Sequence, residues 1–309
     1  MPDPSNSWPR VTVLGAGAVG CYFGGMLARA GASVTLIGRP EHVDAINRDG
    51  LFMDSIHFQE RVTVAAATGP AAARDAEIVL FCVKTLNIDD SARSLVAHLS
   101  PGAIVVSLQN GVDNIERIRA ASSISALPSV VYVAAAMSGP GRIKHSGRGD
   151  LVLGRSLRND AAQRVAECFT RAGVPCRISE NIDGDLWAKL VWNCAGNAIT
   201  ALGRASYGQV ARNELALQVF LEAASETMSV ARAAGITLPP VDLANASVKL
   251  ARDLGNATSS TAQDIQRGKR TEIDSLNGYV VRRGAELGIP TPVNSTLTAL
   301  VKLLEDSSR

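Results

Sequence analysis

A chain of 309 residues is longer than one hydrophobic core readily fills, so two domains are the starting expectation. Hydrophobic residues make up 46% of it, and no run approaches the ~18 apolar residues of a membrane span, so it reads as a soluble protein. With 31 Lys and Arg against 29 Asp and Glu, the net charge of +2 offers no basic field for nucleic acid or a membrane surface.

The first ten residues, MPDPSNSWPR, lack the basic start and apolar stretch of a signal peptide and read as a disordered leader. Residues 11–14 (VTVL) form a β-branched run, followed by GAGAVG at 15–20 and a helical stretch at 21–30 that Gly31 stops. Further strands are expected at 33–37, 77–83, 103–108 and 129–135, with helices between them at 89–99 and 113–119. Buried strands alternating with helices imply a mostly parallel sheet covered on both faces. MSGPGRIKHSGRGD, after Ala136, reads as a hairpin or irregular extension, and a helix at 160–172 and a strand at 175–178 complete this part. From residue 182 the periodicity is helical, through 186–201, 213–234, 241–254 and 272–287. The fold expected is α/β, a doubly wound Rossmann-type sheet over residues 1–181 followed by an all-α domain over 182–309. The helical domain leaves a homodimer open without demanding one.

GAGAVG (Gly15, Ala16, Gly17, Ala18, Val19, Gly20) fits a dinucleotide fingerprint, because it follows a strand and opens a helix. The first glycine allows the tight turn, the second lets backbone approach a pyrophosphate, and the third packs helix on strand; the plainer reading is an ordinary glycine-rich turn. At the end of the second strand, where an acid would hold ribose hydroxyls, the chain has Gly38 and Arg39. Arginine there suits a 2′-phosphate and favours NADP(H), unless it is simply a solvated loop residue. Lys84 and Asn110 stand at the carboxyl ends of strands, where an open parallel sheet places its ligands; Asn110 with Gly111 also fits a plain turn.

Within 182–201, Asp185, Lys189, Asn193 and Asn197 recur every four residues and form one polar stripe on an otherwise apolar helix. The plain reading is a thin exposed edge with an Asp185–Lys189 pair. Asparagine, a poor helix former, argues instead for donors facing an oxygen-rich ligand. Hydride arriving at a ketone leaves charge on oxygen, and an ammonium both stabilises it and delivers a proton. Desolvation would lower such a lysine's pKa, and a nearby carboxylate would hold it charged. Glu272 is a candidate carboxylate, on a helix capped by Thr271 with Asp274 in its first turn; its plain role is an acid at a helix N-terminus. The five cysteines (Cys21, Cys82, Cys168, Cys176, Cys194) and four histidines are dispersed without metal-site spacing, which points to reduced, buried thiols in a cytoplasmic protein and away from metal catalysis.

GAGAVG, Val83-Lys84, Gln109–Gly111, KLVWNCAGNAITAL, SSTAQDIQRGKRTEID and the NGYVVRRGAELGIPTP ending resemble, in that order and spacing, the ketopantoate reductase family. The resemblance implies NADPH-dependent reduction of 2-dehydropantoate to pantoate, with Lys189 as proton donor. It places Asn193, Asn197 and Ser260 on the substrate, and Arg39, Lys84, Asn110, Ala136 and Glu272 around the cofactor, with Glu272 also in the catalytic set. The chain departs from the family where Asn-Pro becomes Asn197-Ala198 and where Pro-Asn-Gly becomes Ser206-Tyr207-Gly208. Tyr207 then stands where a substrate-binding asparagine is expected, which leaves open a reductase of another small 2-oxo acid. A non-catalytic, NADPH-responsive binding protein is the alternative from another class.

Overall fold

The computed structural model describes residues 7–155 and 160–307, and among these no helix is long and apolar enough to cross a membrane. The first six positions of the expected leader lie outside the described residues, and the rest of it is held in place. Trp8 is half-buried against a core, with the Arg171 guanidinium 3.9 Å over its ring, and the Arg10 main chain donates to Glu77. The chain divides into two compact units, one of residues up to Gln109 with Asp113–Ile182, the other of Asn110–Val112 with Asp183–Arg309.

In the first unit β1 (Val11–Leu14), α1 (Ala18–Arg29), β2 (Val34–Ile37) and α2 (Pro40–Asp49) lead into three short strands, β3 (Leu51–Ser55), β4 (Gln59–Val62) and β5 (Ala65–Ala67). Then follow β6 (Ile78–Phe81), α3 (Ile88–Val96), β7 (Ile104–Ser107), α4 (Asn114–Ser122), β8 (Ala126–Gly139), β9 (Arg142–Leu153), α5 (Ala161–Arg171) and β10 (Cys176–Ile178). One sheet runs β4-β3-β9-β8-β7-β6-β1-β2-β5, with β10 also paired to β9. The strands from β5 to β8 are parallel, with Val11 opposite both Val34 and Ile78. The sheet is mixed beyond them, because β8 and β9 form a long antiparallel hairpin with bulges, and β3 and β4 a shorter one.

Central strands of this sheet are apolar at all but Thr12, Thr35 and Ser107 because both faces are covered. Val13, Leu36, Leu80 and Val106 point into a core with Phe23 and Phe169, and Leu14, Ile37, Phe81 and Val105 into another with Ile88 and Leu95. Parallel strands ending together leave the loops after β1, β2, β6 and β7 at one edge.

The second unit is helical: α6 (Ile182–Leu202), α7 (Tyr207–Arg212), α8 (Glu214–Ala233), α9 (Leu243–Leu254), α10 (Ser260–Gln266), α11 (Asn277–Leu287) and α12 (Pro292–Ser307). α6 contributes Val191 and Ala195 to one apolar cluster, Trp187, Leu190 and Cys194 to a second, and Ala198 to a third, so it runs through the middle of the unit. The helix expected from residue 272 begins instead at Asn277. Residues 273–275 form a 3-10 turn, and Leu276, at φ −109° and ψ −104°, breaks the helical path. The Thr271 hydroxyl, two residues before that turn, accepts from the main chain of Ile273 at 3.2 Å, and the expected cap on an α-helix is not formed.

Candidate functional site

In the first unit the three glycines of GAGAVG have three different surroundings. Gly15 has φ +113°, and a Cβ there would lie 2.8 Å from the main chain of Cys82 and Val83 at the end of β6. Its N–H and that of Ala16 both donate to the Ile37 carbonyl, which ties the turn to β2. At Gly20 a Cβ would come 2.1 Å from the Gly15 carbonyl oxygen and 2.8 Å from Val13, so α1 seats directly on β1. Gly17, the residue before α1, has nothing within 4 Å of its Cβ position, and no side chain caps the helix. The turn is thus closed on its protein side and open where the first N–H groups of α1, at Ala18 and Val19, emerge. An anionic group with several oxygens fits that cradle, because the free N–H groups and the helix dipole both favour negative charge.

Arg39 immediately precedes α2, with its side chain 66% exposed and 3.2 Å from the Glu41 carboxylate. Lys84 follows β6, exposed, its carbonyl accepting from Asn87 in a 3-10 turn. Ala136 sits half-buried on β8, opposite Lys144 of β9. Past β7 the buried Gln109 fastens the strand ends: its amide nitrogen donates to the Val83 carbonyl at 2.7 Å and its oxygen accepts from Ser107 at 2.9 Å. Sequence reasoning passed over Gln109, since nothing in QNG distinguishes a buried amide from a loop one.

In the second unit, the half-buried Lys189 Nζ donates to Asn110 Oδ1 at 2.8 Å. Asn110–Val112 belongs to this unit: Gly111 turns the chain at φ +100°, and Val112 packs with Trp187, Leu190 and Cys194. One turn beyond Lys189, Asn193 is 6% exposed, and its amide makes no hydrogen bond to any described residue. A buried amide without a protein partner costs free energy unless something else meets it. Asn197, one turn further and 3% exposed, has its Oδ1 held by the Tyr207 hydroxyl at 2.9 Å, while its Nδ2 has no partner among the described residues.

The Asn197 main-chain carbonyl accepts from Ser259, which also accepts from Thr200 at 2.7 Å and caps α10, whose first residue is the exposed Ser260. Thus Lys189, Asn193 and Asn197 share one stripe of α6, Asn110 joins it at one end, and Ser260 is tied to the other through Ser259. Glu272 is half-buried just before the 3-10 turn, its carbonyl accepting from Ser275. Ser259 and Thr200 went unnoticed in the sequence because hydroxyls give no periodic signal.

Among the described residues no group of three or more His, Cys, Asp and Glu is placed to hold a metal. The cysteines are unpaired, and burial pushes the Cys21 thiol up to about 12 and raises Cys82 and Cys194 as well, so none supplies a thiolate nucleophile near neutral pH.

Comparison with known proteins covers nearly the whole chain. The family model described as Ketopantoate reductase PanE/ApbA matches residues 11–157, and its C-terminal counterpart matches residues 181–305. A 2-dehydropantoate 2-reductase of Pyrococcus horikoshii is 34% identical over 96% of this chain and 97% of its own length. One from Halobacterium salinarum is also 34% identical, over 96% and 99%. The crystal structure of a PanE/ApbA family ketopantoate reductase from Ralstonia eutropha JMP134 matches with a TM-score of 0.92 and 46% identity, covering 97% of this chain and 99% of that one.

Proposed function

Since the chain belongs to the ketopantoate reductase family, we propose that it is a cytoplasmic enzyme that reduces the ketone of 2-dehydropantoate to pantoate with NADPH. The observation that carries this reading is the stripe of α6: an ammonium at Lys189 in line with two buried asparagines whose amides retain unused donors. Such a stripe matches a substrate bearing a carboxylate and a ketone.

When bound, a dihydronicotinamide supplies the hydride that adds to the substrate's ketone carbon. The glycine turn fits its pyrophosphate, with Gly17 open towards the ligand and the amides of Ala18 and Val19 directed there. Arg39 offers a fork of donors to a 2′-phosphate, in competition with Glu41. Lys84, Asn110, Ala136 and Glu272 complete the assignment on the cofactor side. Lys189 stabilises charge growing on the ketone oxygen and passes its proton to it, while Asn110 holds the amine's direction. Asn193, Asn197 and Ser260 orient the acid.

Lys189→Ala tests the reading: turnover is expected to fall ~10²–10⁴-fold, with NADPH affinity kept within about threefold. A variant that turns over normally removes the proton donor from the scheme; a non-catalytic NADPH-responsive protein predicts instead no turnover by the wild type and a physiological output that Lys189→Ala leaves unchanged. Tyr207 favours one second reading, a reductase of a different small 2-oxo acid. Steady-state rates with 2-dehydropantoate against a panel of 2-oxo acids decide it, and no turnover of 2-dehydropantoate by the wild type excludes the first substrate.

A further inference from the structure

The hydroxyl of Tyr207 is spent inside the protein. Its ring is 6% exposed, lies 4.8 Å from the Trp192 ring at 35°, and occupies the space over Gly196, where a Cβ would meet its Cε1 at 2.8 Å. The main-chain N–H groups of Tyr207 and Gly208 donate to the carbonyls of Ala257 and Gly255, so α7 and the loop before α10 hold each other. Its phenol oxygen is 2.9 Å from Asn197 Oδ1, and burial raises its pKa, so it keeps the proton it donates. Asn197 is therefore gripped twice, at its main chain by Ser259 and at its side-chain oxygen by Tyr207.

An amide whose carbonyl is taken has only N–H groups left to offer. Asn197 Nδ2 has no partner among the described residues, whereas Asn193, with neither amide atom engaged, can rotate to give or to accept. We propose that Tyr207 is a positioning residue that fixes Asn197 as a pure donor, so that this part of the site selects a carboxylate over an uncharged carboxamide in the same place. The proposal rests on the reductase reading. A carboxylate oxygen only accepts, so it satisfies Nδ2 without competition; the NH₂ of a carboxamide finds no acceptor there unless the asparagine turns over, which the phenol prevents.

The test is steady-state kinetics of the full-length enzyme with NADPH, comparing a 2-oxo acid that the wild type reduces with its 2-oxo carboxamide. Wild type, Tyr207→Phe, Asn197→Ala and the double variant are needed, with thermal melting of each. Tyr207→Phe is expected to raise KM for the acid roughly fivefold to tenfold, with kcat and NADPH affinity within about twofold. The acid-to-amide ratio of kcat/KM should fall by about the same factor. In the Asn197→Ala background the tyrosine change should add nothing, because its effect passes through that amide.

Equal losses on acid and amide, or an undiminished effect in the Asn197→Ala background, would overturn the proposal. The two possible failures separate. If Asn197→Ala still raises KM while Tyr207→Phe is unselective, the tyrosine's role falls and the reductase reading stands. If Asn197→Ala leaves KM for the acid unchanged, the tyrosine's role and the placing of Asn197 on the substrate both fall; the reductase reading itself falls only if the wild type reduces no 2-oxo acid. Should Tyr207→Phe melt out of range, Asn197→Asp keeps an oxygen for the phenol and removes the donor: loss of the acid by more than tenfold relative to the amide supports the assignment, and an unchanged ratio rejects it.

Discussion

At Gly17 the backbone faces open space, whereas three residues on, at Gly20, a Cβ would press on the Gly15 carbonyl at 2.1 Å. One motif thus contains a glycine that faces open space, which the proposed function gives to the cofactor, and a glycine kept clear for the fold. Gly17→Ala is expected to melt within about 2 °C of the wild type yet weaken NADPH binding at least about tenfold, by titration of cofactor fluorescence. Gly20→Ala should behave the other way, destabilising by about 2 kcal/mol or more through main-chain crowding. At Arg39 the same kind of contrast separates cofactors: Arg39→Ala should cost NADPH roughly tenfold in affinity and leave NADH nearly unchanged, and equal losses would remove the 2′-phosphate role. The glycine turn itself was legible in the sequence because its geometry is local. The pairing of Asn197 with Tyr207 was not, since a bond between residues ten apart on two helices depends on how α7 docks.

Elements with strong apolar runs were readable in advance, and those whose stability is borrowed from neighbours were not. β1, β6 and β7 are buried over four consecutive residues and β2 at all but Thr35, with Thr12, Thr35 and Ser107 the polar residues among them. β3 (LFMDS) and β4 (QERV) carry polar residues at alternate or adjacent positions and form because β9 offers an edge. α12 likewise owes its start to another helix. Glu226 of α8 accepts from the main chain of Val293 and Asn294 at 2.9 Å each and from the Asn294 side chain at 2.8 Å, acting as a cap that Pro292 and Val293 cannot provide. Glu226→Ala should therefore cost about 2 kcal/mol, a fall in Tm of roughly 5 °C by calorimetry, without altering KM for the substrate. A variant as stable as wild type would show that α12 docks by its apolar face alone.

Across the whole molecule, buried acids set a limit on the alkaline side. An unfolded thiol loses its proton near 9.0, while burial holds Cys21 protonated to about 12. Between those values the unfolded chain binds fewer protons than the folded one, so stability is intact below about pH 9 and declines by about 1.4 kcal/mol per pH unit for each such group, until the folded thiol also ionises. Cys82, Cys194 and Tyr207 are raised in the same direction by the same cause. Tm should be level from pH 7 to 8.5 and drop progressively towards 10.5, less steeply in Cys21→Ala; a level profile throughout would contradict these burials. The three residues Asn110–Val112 carry a different lesson about the chain as a whole. They lie between β7 and α4 in sequence yet belong with the helices, so the oxygen that accepts the Lys189 hydrogen bond is encoded some 79 positions upstream of the lysine. A chimera that joined residues 183–309 to a foreign nucleotide-binding half would inherit the amine without its acceptor, and recombination along this gene is expected to succeed only when that distant tripeptide travels with the helical half.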